Sequence, residues 1–393
     1  MTVAGTLLAA ALAATGCGSD DGGGPTGGDA DEIVVGTIMP LSGPQEALSN
    51  SYDGMRAAFA KVNADGGIGG RKIKVVVRDD QFNPAQTPKA ARELVESEGV
   101  VMLCSNQGSG TLKAISPYLE AHGVGSVAQS GETDLFPADS TAFQMLTPYD
   151  ETAAMLAEHF VKAKNRKKIA IAYTNDGIGE PFRKGAEAHL KSLGITPVAA
   201  VSFNAAAADQ SAVAAKLRAS GAEVVLVNHV APVIAQLARA TARVGFRPEW
   251  GTTYAAQNKQ LVKLGGASLR GRVVFATPFP LEQAPVLAEY RTSMAERYPK
   301  TDASDFLTIE GYAAGKVCAG VLRHAAEAAG DDAPSREQVL DALKGYSLDA
   351  EGVRGLRWSA EDHTGPRGLQ LVELRGSRFE QIADFELAPE VAP

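Results

Sequence analysis

Short apolar runs alternate with amphipathic stretches along most of this chain, and the alternation starts over near residue 149. No other feature of the sequence constrains the fold as tightly. IVVGTIM (33–39) is a continuous apolar run followed by the turn-like PLSG. Within 51–64, Met55, Ala58, Phe59 and Val62 recur at i, i+3, i+4 and i+7, one face of a helix. The four glycines of ADGGIGG (64–70) end that helix. KIKVVVRDD (72–80), VVMLC (100–104) and VGSVA (124–128) read as further strands, with helices over 84–98 and after SNQGSG. Strands that are apolar throughout, each followed by a helix, predict a parallel, doubly wound sheet covered on both faces.

The second half repeats the pattern. KKIAIAYT (167–174), the run 196–203, AEVVLVN (222–228) and RVVFAT (272–277) are strand-like, with helices over 180–193, 209–220 and 232–244. Two tandem α/β lobes suit 393 residues, more than one average domain holds. The last third carries three helical runs (284–297, 306–328, 335–346), then VRGLRW (353–358), LQLVEL (369–374) and FEQIADFEL (379–387). We expect the helices to return to the first lobe and the terminal strands to belong mainly to the second. The expected division is 32–148 with 279–352 as lobe 1, and 149–278 with 353–388 as lobe 2.

The N-terminus departs from this pattern. VAGTLLAAALAA (3–14) is a short apolar run that ends in small residues, as a signal peptide does. No Lys or Arg precedes it. Leu12-Ala13-Ala14-Thr15-Gly16-Cys17 resembles a bacterial lipobox, which implies cleavage after residue 16 and acylation of Cys17. Residues 18–31 hold six Gly and four Asp, a tether with little to bury. After residue 16 no run approaches the roughly 18 apolar residues a membrane span needs. A formal net charge of −8 argues against a nucleic-acid partner, since phosphate recognition needs a basic face. The remaining cysteines, Cys104 in a strand-like run and Cys318 in a helical one, lack metal or redox spacing. Two readings stay open for them: a pair of small buried hydrophobes, the commoner case, or a disulfide.

The stretch from GTIMPLSG to GVVML resembles the branched-chain amino-acid-binding family of type I periplasmic binding proteins. The resemblance lies in Asn63, Gly66, Gly67, Ile68 and Gly70 at the end of the first helix, then Asp79, Asp80, Asn83 and Pro84. It continues through Ser109-Gly110, Ser116-Pro117-Tyr118, Pro148, Asp150, Asp176-Gly177-Ile178-Gly179-Glu180 and Glu310-Gly311-Tyr312, from about residue 33 to 387. Individually these pieces are weak signals; their order and spacing make the likeness specific. It implies two Rossmann-like lobes joined by hinge strands and closing over a small ligand. It also implies an extracytoplasmic monomer that passes its ligand to the permease subunits of an ABC importer, with no cofactor. Asp79-Asp80 is expected to cap the turn after its strand rather than bind metal.

The resemblance also assigns a site. The serine that holds a ligand carboxylate falls at Ser109, the accompanying backbone group at Ser130, and a hydroxyl position at Glu132, beyond Gly131. Glu132 would repel a carboxylate unless protonated; Thr133, one residue on, could supply the hydroxyl. The family's ammonium-holding acid falls at Tyr254, its stacking aromatic at Val230 beside Asn228 and His229, and a further tyrosine at Ile178. The anion pocket therefore survives in part and the ammonium pocket does not. The ligand implied is a small amino acid or a related carboxylate or amide. An enzyme is disfavoured, because the six histidines show no metal spacing and no G-x-S-x-G elbow occurs. GGIGG (66–70) follows a helix, the wrong context for a dinucleotide turn. A ligand-sensing receptor or regulator of the same fold is the alternative; a lipobox and tether favour transport.

Overall fold

In a computed structural model, the structure describes residues 32–269, 271–350 and 353–389, with Met1 and Val391. The signal-peptide, Cys17 and tether assignments lie outside these residues. The first lobe runs β1 (Glu32–Met39), α1 (Asn50–Ala64), β2 (Lys72–Asp79), α2 (Thr87–Arg92), β3 (Met102–Gln107), α3 (Ser109–Ala121), β4 (Gly125–Gln129) and β5 (Ala142–Gln144). Its five strands are parallel in the order β2-β1-β3-β4-β5. β1, β3, β4 and β5 are buried along nearly their whole length, which is why they lack an alternating pattern.

After α4 (Tyr149–Glu158) the pattern repeats as β6 (Ile169–Tyr173), α5 (Gly179–Ser192), β7 (Ala199–Ser202), α6 (Ser211–Ala219), β8 (Val224–Val227), α7 (Ala231–Arg243), β9 (Glu249–Thr253), α8 (Lys259–Gly265) and β10 (Val273–Thr277). These strands are parallel in the order β7-β6-β8-β9-β10, the same winding as the first sheet. The chain then forms α9 (Ala288–Arg297), α10 (Phe306–Ala329), α11 (Arg336–Leu343), β11 (Ser347–Ala350), β12 (Val353–Arg357), β13 (Gly368–Arg375) and β14 (Arg378–Leu387). β13 and β14 extend the second sheet antiparallel beyond β10, making seven strands.

α10 returns to the first lobe and lies backbone to backbone on α1. A Cβ on Gly311 would fall 1.9 Å from the Ser51 carbonyl oxygen, and one on Gly54 equally close to that of Thr308. Only glycines permit that approach. Cys104 of β3 and Cys318 of α10 form a disulfide, Cα atoms 6.4 Å apart, which closes the choice the sequence left open. One expectation needs correction. VRGLRW was assigned to the second lobe, but β12 pairs with β11 in a separate two-stranded sheet. Trp358 then donates its indole N–H to the Gln144 carbonyl at 3.1 Å and packs on Phe143, seating this segment against the first lobe.

Asp79 and Asp80 organise the turn after β2. Asp79 accepts from the Leu41 and Gln81 amides and the Ser42 hydroxyl, and Asp80 from the Phe82 amide and Thr87 hydroxyl.

Candidate functional site

In open parallel sheets the C-terminal strand ends face a crevice where ligands bind. Here β3 and β4 of one sheet and β8 and β9 of the other end at a common cavity of about 80 Å³. The first lobe contributes Gln107, Gly108, Ser109 and Gln129 from the strand ends, Phe82 from the loop after β2, and Leu307 and Glu310 from α10. The second contributes Ile178, His229, Val230 and Tyr254, while Leu146 and Tyr149 border the cavity where the chain crosses between sheets.

Gly108, at φ +94°, turns the chain from β3 into α3. A Cβ there would strike the Phe82 ring at 2.5 Å, so glycine lets the ring cover the cavity. Ser109 opens α3 at the end that favours negative charge. Its hydroxyl lies 2.8 Å from that of Ser130, which also accepts from the Glu132 amide at 3.2 Å.

Five of the nine sequence-assigned ligand contacts (Ser109, Ile178, His229, Val230 and Tyr254) line the cavity. Ser130 reaches it through Ser109. Gly131 lies under the Tyr149 ring, and its carbonyl accepts from the Tyr149 amide at 2.9 Å. Thr133 starts a short 3₁₀ turn, and its buried hydroxyl has no partner among the described residues. Glu132 is half-buried and crosses between the lobes: a Cβ on Gly177 would fall 1.9 Å from its carboxylate. Burial raises its pKa above the usual carboxylate range, against the Ser109 hydroxyl and Lys113, which pull it down; Asp134 and Asp176 add to the rise.

On the second lobe, the His229 Nδ1 accepts from the Val230 amide at 2.9 Å, and burial lowers the pKa of the ring. It is neutral there, with Nε2 left to carry the proton. Tyr254 is fully buried, stacks on Phe306, and donates to the Thr147 carbonyl at 3.4 Å. Desolvation raises its pKa well above normal, with Tyr149 and Glu310 adding to the rise, so it remains a neutral phenol.

The sequence assignment missed the most unusual residue in the cavity. Glu310 is 2% exposed and accepts from the Gln107 amide nitrogen at 3.1 Å. Burial pushes its pKa up to about 8, with the Gln107 bond opposing and Asp305 adding to the rise. The available signal was a lone carboxylate at i+4 from Phe306 and i+3 from Leu307, on the apolar face of a helix. Gln107 and Gln129 were also missed; they pair in register at the ends of β3 and β4.

The model of the periplasmic binding protein family matches residues 32–378, and the chain belongs to that family. These are solute-binding proteins, not enzymes. An amino acid binding protein of Pseudomonas aeruginosa is 28% identical over 53% of this chain, and the match spans 56% of that relative. The chain thus matches only about half the length of the first curated relatives. A Leu/Ile/Val/Thr-binding protein of Salmonella typhimurium is 24% identical over 81% of this chain and 85% of its own. Among solved structures, a branched-chain amino acid ABC transporter protein of Thermus thermophilus with bound valine superposes with a TM-score of 0.80 at 20% identity. It covers 91% of this chain and 96% of that one. A fatty acid ABC transporter substrate-binding protein of Thermomonospora curvata gives 0.81 at 20% identity, over 94% and 95%. At these identities the structures establish the type I periplasmic binding fold.

Proposed function

We propose that this chain is the extracytoplasmic solute-binding component of an ABC importer, anchored through a lipid on Cys17 and acting as a monomer. Lobe 1 comprises 32–148 with 279–358, lobe 2 comprises 149–278 with 368–388, and a small amino acid or related carboxylate or amide binds between them. The observation that carries this reading is the cavity at the facing strand ends, walled by both sheets, with Ser109 at the start of α3. Ser109, Ser130 and the loop Gly131–Thr133 form the anion side; Ile178, His229, Val230 and Tyr254 close it from the second lobe. The binding proteins named above support the class of ligand, although a fatty-acid binder shares the fold. The Cys104–Cys318 disulfide supports export, because such bonds persist in oxidising compartments.

A thermal-shift screen over amino acids, aromatic acids, amides and sugars tests the ligand reading. A true ligand at 100 times its Kd stabilises by about 2.7 kcal/mol. Flat melting curves with every class at millimolar concentration would refute a cleft of this specificity. For the anchor, cells fed labelled palmitate should incorporate it into the wild type and not into Cys17→Ser. Equal labelling would remove Cys17 from the proposal. Analytical ultracentrifugation of the protein without its first 17 residues should give a single species of one chain; a stable dimer would refute the monomer.

A further inference from the structure

Among the described residues, the wall of the cavity on the first lobe presents two hydrogen-bond acceptors, Glu310 and Gln129, that protein donors satisfy only in part. Glu310 has one described hydrogen bond, from Gln107, and that amide nitrogen also lies 3.2 Å from the Ser51 hydroxyl. One strand over, Gln129 is buried and lines the same cavity, and its Oε1 has no hydrogen-bond partner among the described residues. No Lys or Arg is among the residues lining the cavity. A buried carboxyl and a buried amide oxygen left facing one small space are each costly unless something brings donors to them.

We propose that Glu310, with Gln129 beside it, receives an amino group of the ligand, so that the solute carried is an amine. The inference rests on the cleft being the ligand site and assigns the chemistry of one end of it. An ammonium has three N–H donors and a positive charge. It would serve both acceptors and supply the counter-charge that Glu310 lacks among the residues lining the cavity. The acid then comes from α10 on the first lobe, whereas the family resemblance looked for it at the end of β9, where Tyr254 stands.

The site also carries a proton balance. Around Glu310 stand Asp305 on its own helix, Tyr149 and Tyr254, both held neutral by burial, and the neutral His229. Glu132 and Asp176 lie further out, between the lobes. None of these supplies a positive charge near neutral pH, so the empty site keeps Glu310 largely protonated below about 8. An arriving ammonium favours the carboxylate, and the Glu310 proton is released to solvent. Binding therefore tightens as pH rises from 6 to 8, by up to about tenfold per unit.

Isothermal titration calorimetry with matched triples tests this. Each triple is an L-amino acid, its des-amino acid and its decarboxylated amine, with the side chains of alanine, valine, leucine and phenylalanine. In at least one triple, an amine-bearing member should bind at least about tenfold tighter than the des-amino acid. At pH 7, comparison of two buffers of different ionisation enthalpy should show release of up to one proton per ligand. Glu310→Gln should lose both the preference and the proton release. The release measured on the wild type alone keeps the test intact if the variant does not fold. A des-amino acid binding as tightly as its partners overturns the proposal while leaving the cleft reading in place. So does amine binding with no proton release, or a preference that survives in Glu310→Gln. If no member of any triple binds, the proposal falls together with the ligand class assigned to the cleft.

Discussion

Glu310 shows how one residue's surroundings change its meaning. In the sequence it is one of two carboxylates in an alanine-rich helix; folded, it is among the most deeply buried acids in the molecule. A carboxyl raised from its ordinary value to about 8 binds its proton more tightly in the folded chain than in the unfolded one. The sign follows from linkage. Between about pH 4.5 and 8 the unfolded chain gives up this proton and the folded one keeps it, so this group's contribution to stability falls as pH rises. Glu310→Gln removes that dependence. Its melting temperature without ligand should match the wild type near pH 4 and exceed it at pH 8, by on the order of a few kcal/mol of stability. Melting curves at several pH values check this, and parallel curves would mean that Glu310 is not the buried acid described.

At the scale of elements, the contact of α10 with the first lobe decides whether that lobe is complete. Gly54 and Gly311 bring α1 and α10 within backbone contact, and the disulfide from Cys104 ties β3 to the same helix across 214 residues of sequence. Closing so long a loop removes much of the unfolded chain's freedom, about 5 kcal/mol in the chain-entropy model. Replacing both cysteines by alanine should lower the free energy of unfolding by a large part of this, read as a lower denaturant midpoint. A midpoint unchanged in oxidised protein would show that the helix is held by packing alone. The resemblance and the helical periodicity located α10, but neither could pair two lone cysteines. A half-cystine and a buried thiol look the same in sequence.

Across the whole molecule, two sheets with the same winding order face one another through their C-terminal strand ends. Glu132 and Gly177 meet where the lobes approach, and a side chain on Gly177 would have to displace the Glu132 carboxylate. A bulky residue there would compete with that carboxylate for the gap between the lobes. Gly177→Leu should weaken ligand binding at least tenfold by calorimetry and leave the ligand-free melting temperature nearly unchanged. Adding Glu132→Ala should restore part of the affinity, because the two side chains would compete for one space. Additive losses would show that the two side chains do not share that space.

The two-lobed α/β plan was legible in the sequence because it depends on local periodicity. Buried parallel strands are apolar throughout, helices repeat at 3.6 residues, and the pattern runs twice. The helical runs of the last third and the strand character of its terminal runs were legible for the same reason. The misassigned strand was β12, whose neighbours depend on where Trp358 docks. The placement of part of the candidate site was also readable, since Ser109 and the loops of the second lobe sit at strand ends whatever the details. Only the tertiary structure brought Glu310, Gln107 and Gln129 to one wall, and only there does burial give the acid its raised pKa. Such effects come from residues far apart in the chain sharing a space closed to water, and no local pattern records them.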